Sequence, residues 1–250
     1  SLLPARIRLM IRGLLARTRV ALSVGVAAIR LRPGRGVFGT GDPVLLVYGH
    51  PRSTADGFDA YFGTLMRDAP ELKRLLHADC PAARARILAR DGRTASVHAW
   101  GSLWMAIALV AARWRPTPGD VAGRDGWLVR RAVARENGTG VPAINRWQAH
   151  CQERWLAAAR PACVVWPWEN HPWERAMCRA ARRAGRRTIG YQHTVIGRHQ
   201  TNFSPATNPD GLASVPDLIL CNGPAFRDQL ERWGVPADRL KIAGAFRIAR

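Results

Sequence analysis

The clearest pattern in the chain is a repeated switch between short apolar runs and longer amphipathic stretches. Val44-Leu45-Leu46-Val47-Tyr48 is a run of the buried-strand type, ended by Gly49-His50-Pro51. Cys163-Val164-Val165-Trp166 is another, and it stops at Glu169-Asn170-His171. A helical stretch rich in Ala and Arg follows, and then Thr188-Ile189-Gly190-Tyr191 stops at Gln192-His193. Strand, helix and strand within roughly 30 residues is the size of a βαβ unit. Asp217 to Cys221 is the next strand, ended by Asn222-Gly223-Pro224, where Pro224 can open a helix over 224–233. Gly234-Val235-Pro236 closes that helix, and Leu240 to Ala243 is the last strand.

Between the first and second of these runs the pattern is mostly helical. Residues 56–77 and 81–90 read as helices, with Pro70 and Pro81 at or near helix starts. Thr94 to His98 is a weak strand, 101–114 an apolar helix ended by Arg115-Pro116, and 125–136 and 142–159 two further helices. Residues 194–215 form a long irregular stretch, a length that marks a functional or disordered segment. Strands alternating with helices define an α/β fold with a mainly parallel sheet and helices on both faces.

In open α/β sheets, ligands bind beyond the carboxyl ends of the strands. Glu169, His171 and His193 end strands and are expected to face one another across a crevice, with His50 joining them. Glu169 follows Trp166-Pro167-Trp168, and indole rings can desolvate a carboxylate, raise its pKa and suit it to general-base work. The competing role is a helix-terminal Glu favoured by the macrodipole. His171 precedes Pro172 in the first turn of a helix, as a ligand contact or a buried cap. His193 is placed as a proton shuttle or a phosphate-facing donor. Glu174, one turn into the helix, is given a structural role. Asn222-Gly223 opens a helix whose free N–H groups could bind an anion, or serves as an ordinary cap.

Charge widens the range of partners. The net charge is +20, almost all from arginine, since Lys occurs only at 73 and 241. Nucleic acid, anionic lipid and a coding bias toward Arg and Ala all account for such a balance. No zinc finger, RNP-like aromatic motif or KH loop is present, which sets nucleic acid aside. Residues 2–32 interleave apolar and Arg positions with a loose helical period, as in a basic helix on a membrane surface or one docked on the domain. No apolar run is long enough to span a bilayer. Five widely spaced cysteines, with Cys163 and Cys221 inside predicted strands, point to reduced thiols in a cytoplasmic protein. Gly-x-Gly-x-x-Gly, P-loop, Gly-x-Ser-x-Gly, His-Glu-x-x-His and Asp-x-Asp motifs are all missing.

Two segments resemble a known group. "PDLILCNGPAFRDQLERWGVPADRLKIAGAFR" (216–247) resembles the end of the N-terminal domain of two-domain GT-B glycosyltransferases. "WENHPWERAMCRAARRAGRRTIGYQHTVIG" (168–197) is similar to segments of bacterial surface and capsular polysaccharide glycosyltransferases. The resemblance covers 160–250, and 43–51 loosely. The residue pattern sets off a basic helical segment (1–40), which the resemblance does not cover, and the resemblance implies a Rossmann-like acceptor-side domain (41–243) and the start of a linker (244–250) to a donor-binding domain. It further implies transfer of a sugar from a nucleotide-sugar donor to a glycan or lipid-linked acceptor, with no cofactor and no obligatory metal. Glu169 and His193 would be catalytic, and His171, His50, Asn222, Gly223 and Arg247 would bind substrate. The enzyme would be cytoplasmic and peripheral on the inner face of the cell membrane, and this stretch alone would be inactive. A nucleotide-sugar 2-epimerase shares the "Gly-Val-Pro" signature, and a non-enzymatic membrane scaffold is the third reading.

Overall fold

Residues 3–246 are described in a computed structural model of the chain. Among them seven strands form one all-parallel sheet. They are β1 (Pro43–Val47), β2 (Lys73–Leu76), β3 (Thr94–Ser96), β4 (Cys163–Pro167), β5 (Arg187–Gln192), β6 (Leu218–Cys221) and β7 (Leu240–Ile242). The order across the sheet is β3-β2-β1-β4-β5-β6-β7. The helices are α1 (Leu3–Leu31), α2 (Leu65–Asp68), α3 (Ala82–Leu88), α4 (Leu103–Ala108), α5 (Pro118–Val121), α6 (Gly126–Asn137), α7 (Val141–Ala159), α8 (Pro172–Arg183) and α9 (Pro224–Arg232). The fold is α/β and Rossmann-like, and the sheet is parallel throughout.

Alternation along the strands builds two cores. Val44, Leu46, Val164, Trp166 and Ile219 face one side, where α1, α7, α8 and α9 pack. Leu45, Val47, Leu76 and Tyr191 face the other, with Met66 of α2 and Ala85 and Leu88 of α3. Both faces are buried, which is why the strands read as continuous apolar runs. In α8, Trp173, Met177 and Ala181 recur at helical spacing on the buried face, while Arg179, Arg182 and Arg183 make ion pairs outward. Gly190 of β5 sits under Trp168, where a Cβ would come within 2.9 Å of that side chain. The close packing of the post-β4 turn and of Pro216 on β5 therefore requires glycine.

Helix α1 is docked into the domain through Ala21, Val24 and Ala28. All five cysteines are free, and Cys221 is buried, whereas Cys163 is half-buried.

The stretch 56–77 departs from the helix expected there. It holds only the single turn α2 and then strand β2. Leucines at 65, 72, 75 and 76 fall at helical spacing, and the strand is too short and too charged at its start to announce itself. Its second residue explains the placement. Arg74 is fully buried, donates from Nε to Thr94 Oγ1 at 2.9 Å and from Nη2 to Asp91 Oδ2 at 3.1 Å, and lies 4.0 Å from Asp59 Oδ2. A buried guanidinium bridging β2, β3 and the preceding loop holds this sheet edge. The loop 194–215 is also more ordered than expected, winding through short 3-10 turns with Phe203 and Val215 buried.

Removing the cation leaves Asp91 and Asp59 buried without their partner. Arg74→Ala is expected to lower unfolding stability by about 3–5 kcal/mol. A urea unfolding curve of the variant checks this, and a midpoint equal to wild type would contradict it.

Candidate active site at the switch point

Strands β1 and β4 are neighbours, but their onward connections leave in opposite directions, to β2 and to β5. Their carboxyl ends therefore part to form a crevice, the usual ligand position in such sheets. Tyr48 follows β1, and Trp168-Glu169-Asn170-His171 follows β4.

The β4–α8 turn is shaped by one buried carboxyl. Glu174 in the first turn of α8 is fully buried. It accepts hydrogen bonds from Trp166 Nε1 at 3.0 Å, from the Glu169 N–H at 3.1 Å and from the Asn170 N–H at 2.9 Å. Asn170 takes a left-handed conformation, φ +58°, which Asn tolerates better than most residues. Its amide also donates to the Asn202 carbonyl. The reversed turn brings together two side chains that are two residues apart. Glu169 Oε2 meets His171 Nε2 at 2.7 Å, and Glu169 Oε1 lies 3.4 Å from His193 Nε2. The carboxylate is partly exposed, His171 half-exposed and His193 buried.

These contacts set the protonation states. Burial pushes the Glu174 carboxyl up to about 7, against the pull of His171 and of its three donors. The hydrogen bond to Glu169 raises the His171 imidazole above its ordinary value, so the pair favours imidazolium and carboxylate. Burial raises the Tyr48 phenol, leaving it neutral, and its oxygen accepts from Trp173 Nε1 at 3.1 Å.

A cavity of about 1080 Å³ opens at this point. Tyr48, Tyr61, His77, Glu169, His171 and Trp173 form its strand-side wall, and Arg113, Trp114, Ile144 and Arg146 line the helical side. This is just above the roughly 300–1,000 Å³ typical of small-molecule sites. The wall is aromatic with a few convergent polar groups, as such sites are.

Of the residues singled out by the sequence, Glu169, His171 and His193 form one contact cluster, in which His193 stands behind the cavity wall and touches its Glu169 and Tyr61. His50 is linked to them by ring packing on Tyr61, at 6.1 Å between centroids, and its Nδ1 accepts from the Arg52 N–H. Asn222 and Gly223 lie at the end of β6, outside the cavity wall, where the Asn222 N–H donates to Gln192 Oε1 at 3.0 Å. Arg247 lies outside the described residues.

The sequence reading missed Tyr48, Tyr61, Trp173 and the His77–Asp79 pair. His77 directly follows β2, its Nδ1 lies 3.1 Å from the Asp79 backbone nitrogen and 3.3 Å from its carboxylate, and its hydrogen bond holds that carboxylate below its usual range. The ring packs against both Tyr48 and Trp173, and its Nε2 is buried without a hydrogen-bond partner among the described residues. The rule that locates ligands at strand ends applies equally to His77, but it needs β2 to be recognised first.

The fold and cleft thus define a Rossmann-like α/β domain with a carboxylate–histidine cluster at its switch point. Comparison with protein-family models, with curated proteins and with solved structures finds no match.

Glu174 gives a pH signature. Its folded pKa, about 7, lies above the ordinary value of 4.5. Stability is fully present below the unfolded pKa and falls as pH rises, because the unfolded chain ionises first. The loss amounts to about 3 kcal/mol between roughly pH 4.5 and pH 7. Urea unfolding of wild type and Glu174→Gln across that window should show the wild type losing stability relative to the variant. A constant difference would contradict the assignment.

Proposed function

We propose that this chain is the acceptor side of a GT-B glycosyltransferase that builds bacterial cell-surface polysaccharide. The acceptor, a glycan or lipid-linked sugar, occupies the aromatic-walled cavity at the switch point. A nucleotide sugar, held on a second domain, supplies the donor. The observation that carries the reading is Glu169 held between His171 and His193 at the mouth of that cavity. Oε2 meets His171 Nε2 at 2.7 Å, and Oε1 stands 3.4 Å from His193 Nε2. Glu169 takes the proton of the acceptor hydroxyl as that hydroxyl's oxygen attacks the anomeric carbon and the bond to the departing nucleoside diphosphate breaks. The two histidines orient the carboxylate, and His171, whose imidazolium form is favoured by this contact, supplies positive charge beside it. A lipid-linked acceptor is met at the membrane, so this reading places the enzyme in the cytoplasm, on the inner face.

The test is sugar transfer from labelled nucleotide sugars by the protein that carries this chain. Glu169→Gln keeps the shape but cannot accept a proton, and turnover is expected to fall about 10²–10⁴-fold with donor affinity little changed. His193→Ala should also slow turnover. Near-normal turnover by a folded Glu169→Gln variant would remove the base assignment.

A further inference from the structure

Helix α1 has three sectors, although docking on the domain requires only one. The first, with Ala21, Val24 and Ala28, is buried in the core. The second is a stripe of exposed apolar side chains at helical spacing, Ile7, Ile11, Leu15, Leu22, Val26 and Ile29, among which Leu22 is 67% exposed. The third, flanking that stripe, carries Arg12, Arg19 and Arg30, all exposed.

A second helix extends the apolar surface. Gly25 of α1 lies against Ala106 of α4, where an added Cβ would stand 3.5 Å from the Ala106 Cβ. The outward face of α4 shows Leu103, Ile107 and Trp104, and the indole of Trp104 is 82% exposed. Apolar patches of this extent on two adjacent helices mark an interaction surface.

Charge decides what covers it. Neither 1–41 nor 92–119 contains a single Asp or Glu. A second copy of the chain meeting this face about a twofold axis would set arginine against arginine with no carboxylate between them. Nucleic acid would leave the apolar stripe facing phosphates. An anionic bilayer satisfies both features, because its headgroups pair with arginine while its acyl boundary takes up leucine, isoleucine and the indole. No helix among the described residues is long and apolar enough to cross a membrane.

We propose that the α1–α4 face is a docking surface for anionic phospholipid. Helix α1 lies in the plane of the interface, and Trp104, Leu22 and Ile107 reach below the headgroups. The inference rests on this surface alone and stands whether or not the cleft transfers sugar.

Flotation of the full chain with vesicles tests it. Phosphatidylcholine vesicles containing phosphatidylglycerol should carry the protein, and pure phosphatidylcholine should carry much less. The double variant Trp104→Ser, Leu22→Ser changes only exposed positions and should weaken partitioning by about tenfold or more. Each of Arg12→Gln, Arg19→Gln and Arg30→Gln should weaken it about fivefold. Circular dichroism like that of wild type confirms that the variants are folded. Equal flotation of the apolar double variant would reduce the effect to plain charge attraction and overturn the proposal. So would absence of binding to both vesicle types, or a dimer in solution that Trp104→Ser dissociates.

Discussion

The buried carboxyl of Glu174 ties three elements at one point. It joins the indole of Trp166 in β4 to two backbone N–H groups of the following turn, from the start of α8. Burial opposes its ionisation, while the three donors, the helix N-terminus and the nearby His171 favour it. The turn is held in a left-handed bend at Asn170 as a result. Without that bend, side chains at 169 and 171 would not close to hydrogen-bond distance. The carboxylate–histidine cluster is thus set by a group that the cavity does not expose.

Topology supplies the remaining walls. A strand order that reverses between β1 and β4 leaves a gap that no crossover helix fills. Tyr48 from one side and Trp173 from the other meet across it through an N–H to phenol hydrogen bond of 3.1 Å. His77 enters from the end of β2, its ring packed against both. Each side chain stands at the end of a strand or the start of a helix. The rigidity of the sheet therefore passes directly to the site.

Sequence pattern located β1, β4, β5, β6 and β7, and β3 as a weak strand, from short apolar or β-rich runs ended by turn residues, most plainly in β1, where Val44 to Val47 are all buried. The same logic led from strand ends to Glu169, His171 and His193. It missed β2, whose first two residues are Lys73 and Arg74, and with it His77 and Asp79. The reason is physical: Arg74 is buried by pairing with Asp91 and Asp59, partners distant in sequence that no local pattern reveals. The role of Glu174 was legible only in outline. Its position suggested structure, but its convergence with Trp166 depends on the packing of α8 against the sheet. The reading of α1 was similarly partial, since periodicity showed an amphipathic helix and only packing shows which apolar residues remain exposed.

The cluster works only if Glu169 acts electrically on its neighbour as well as touching it. Side-chain NMR titration of His171, in wild type and in Glu169→Gln, measures this directly. Wild-type His171 should titrate above the ordinary histidine value, and the substitution should lower that midpoint, because the hydrogen bond to the carboxylate is the largest cause of its rise. An ordinary midpoint in the wild type, unmoved by the substitution, would contradict the cluster on which the proposed chemistry stands.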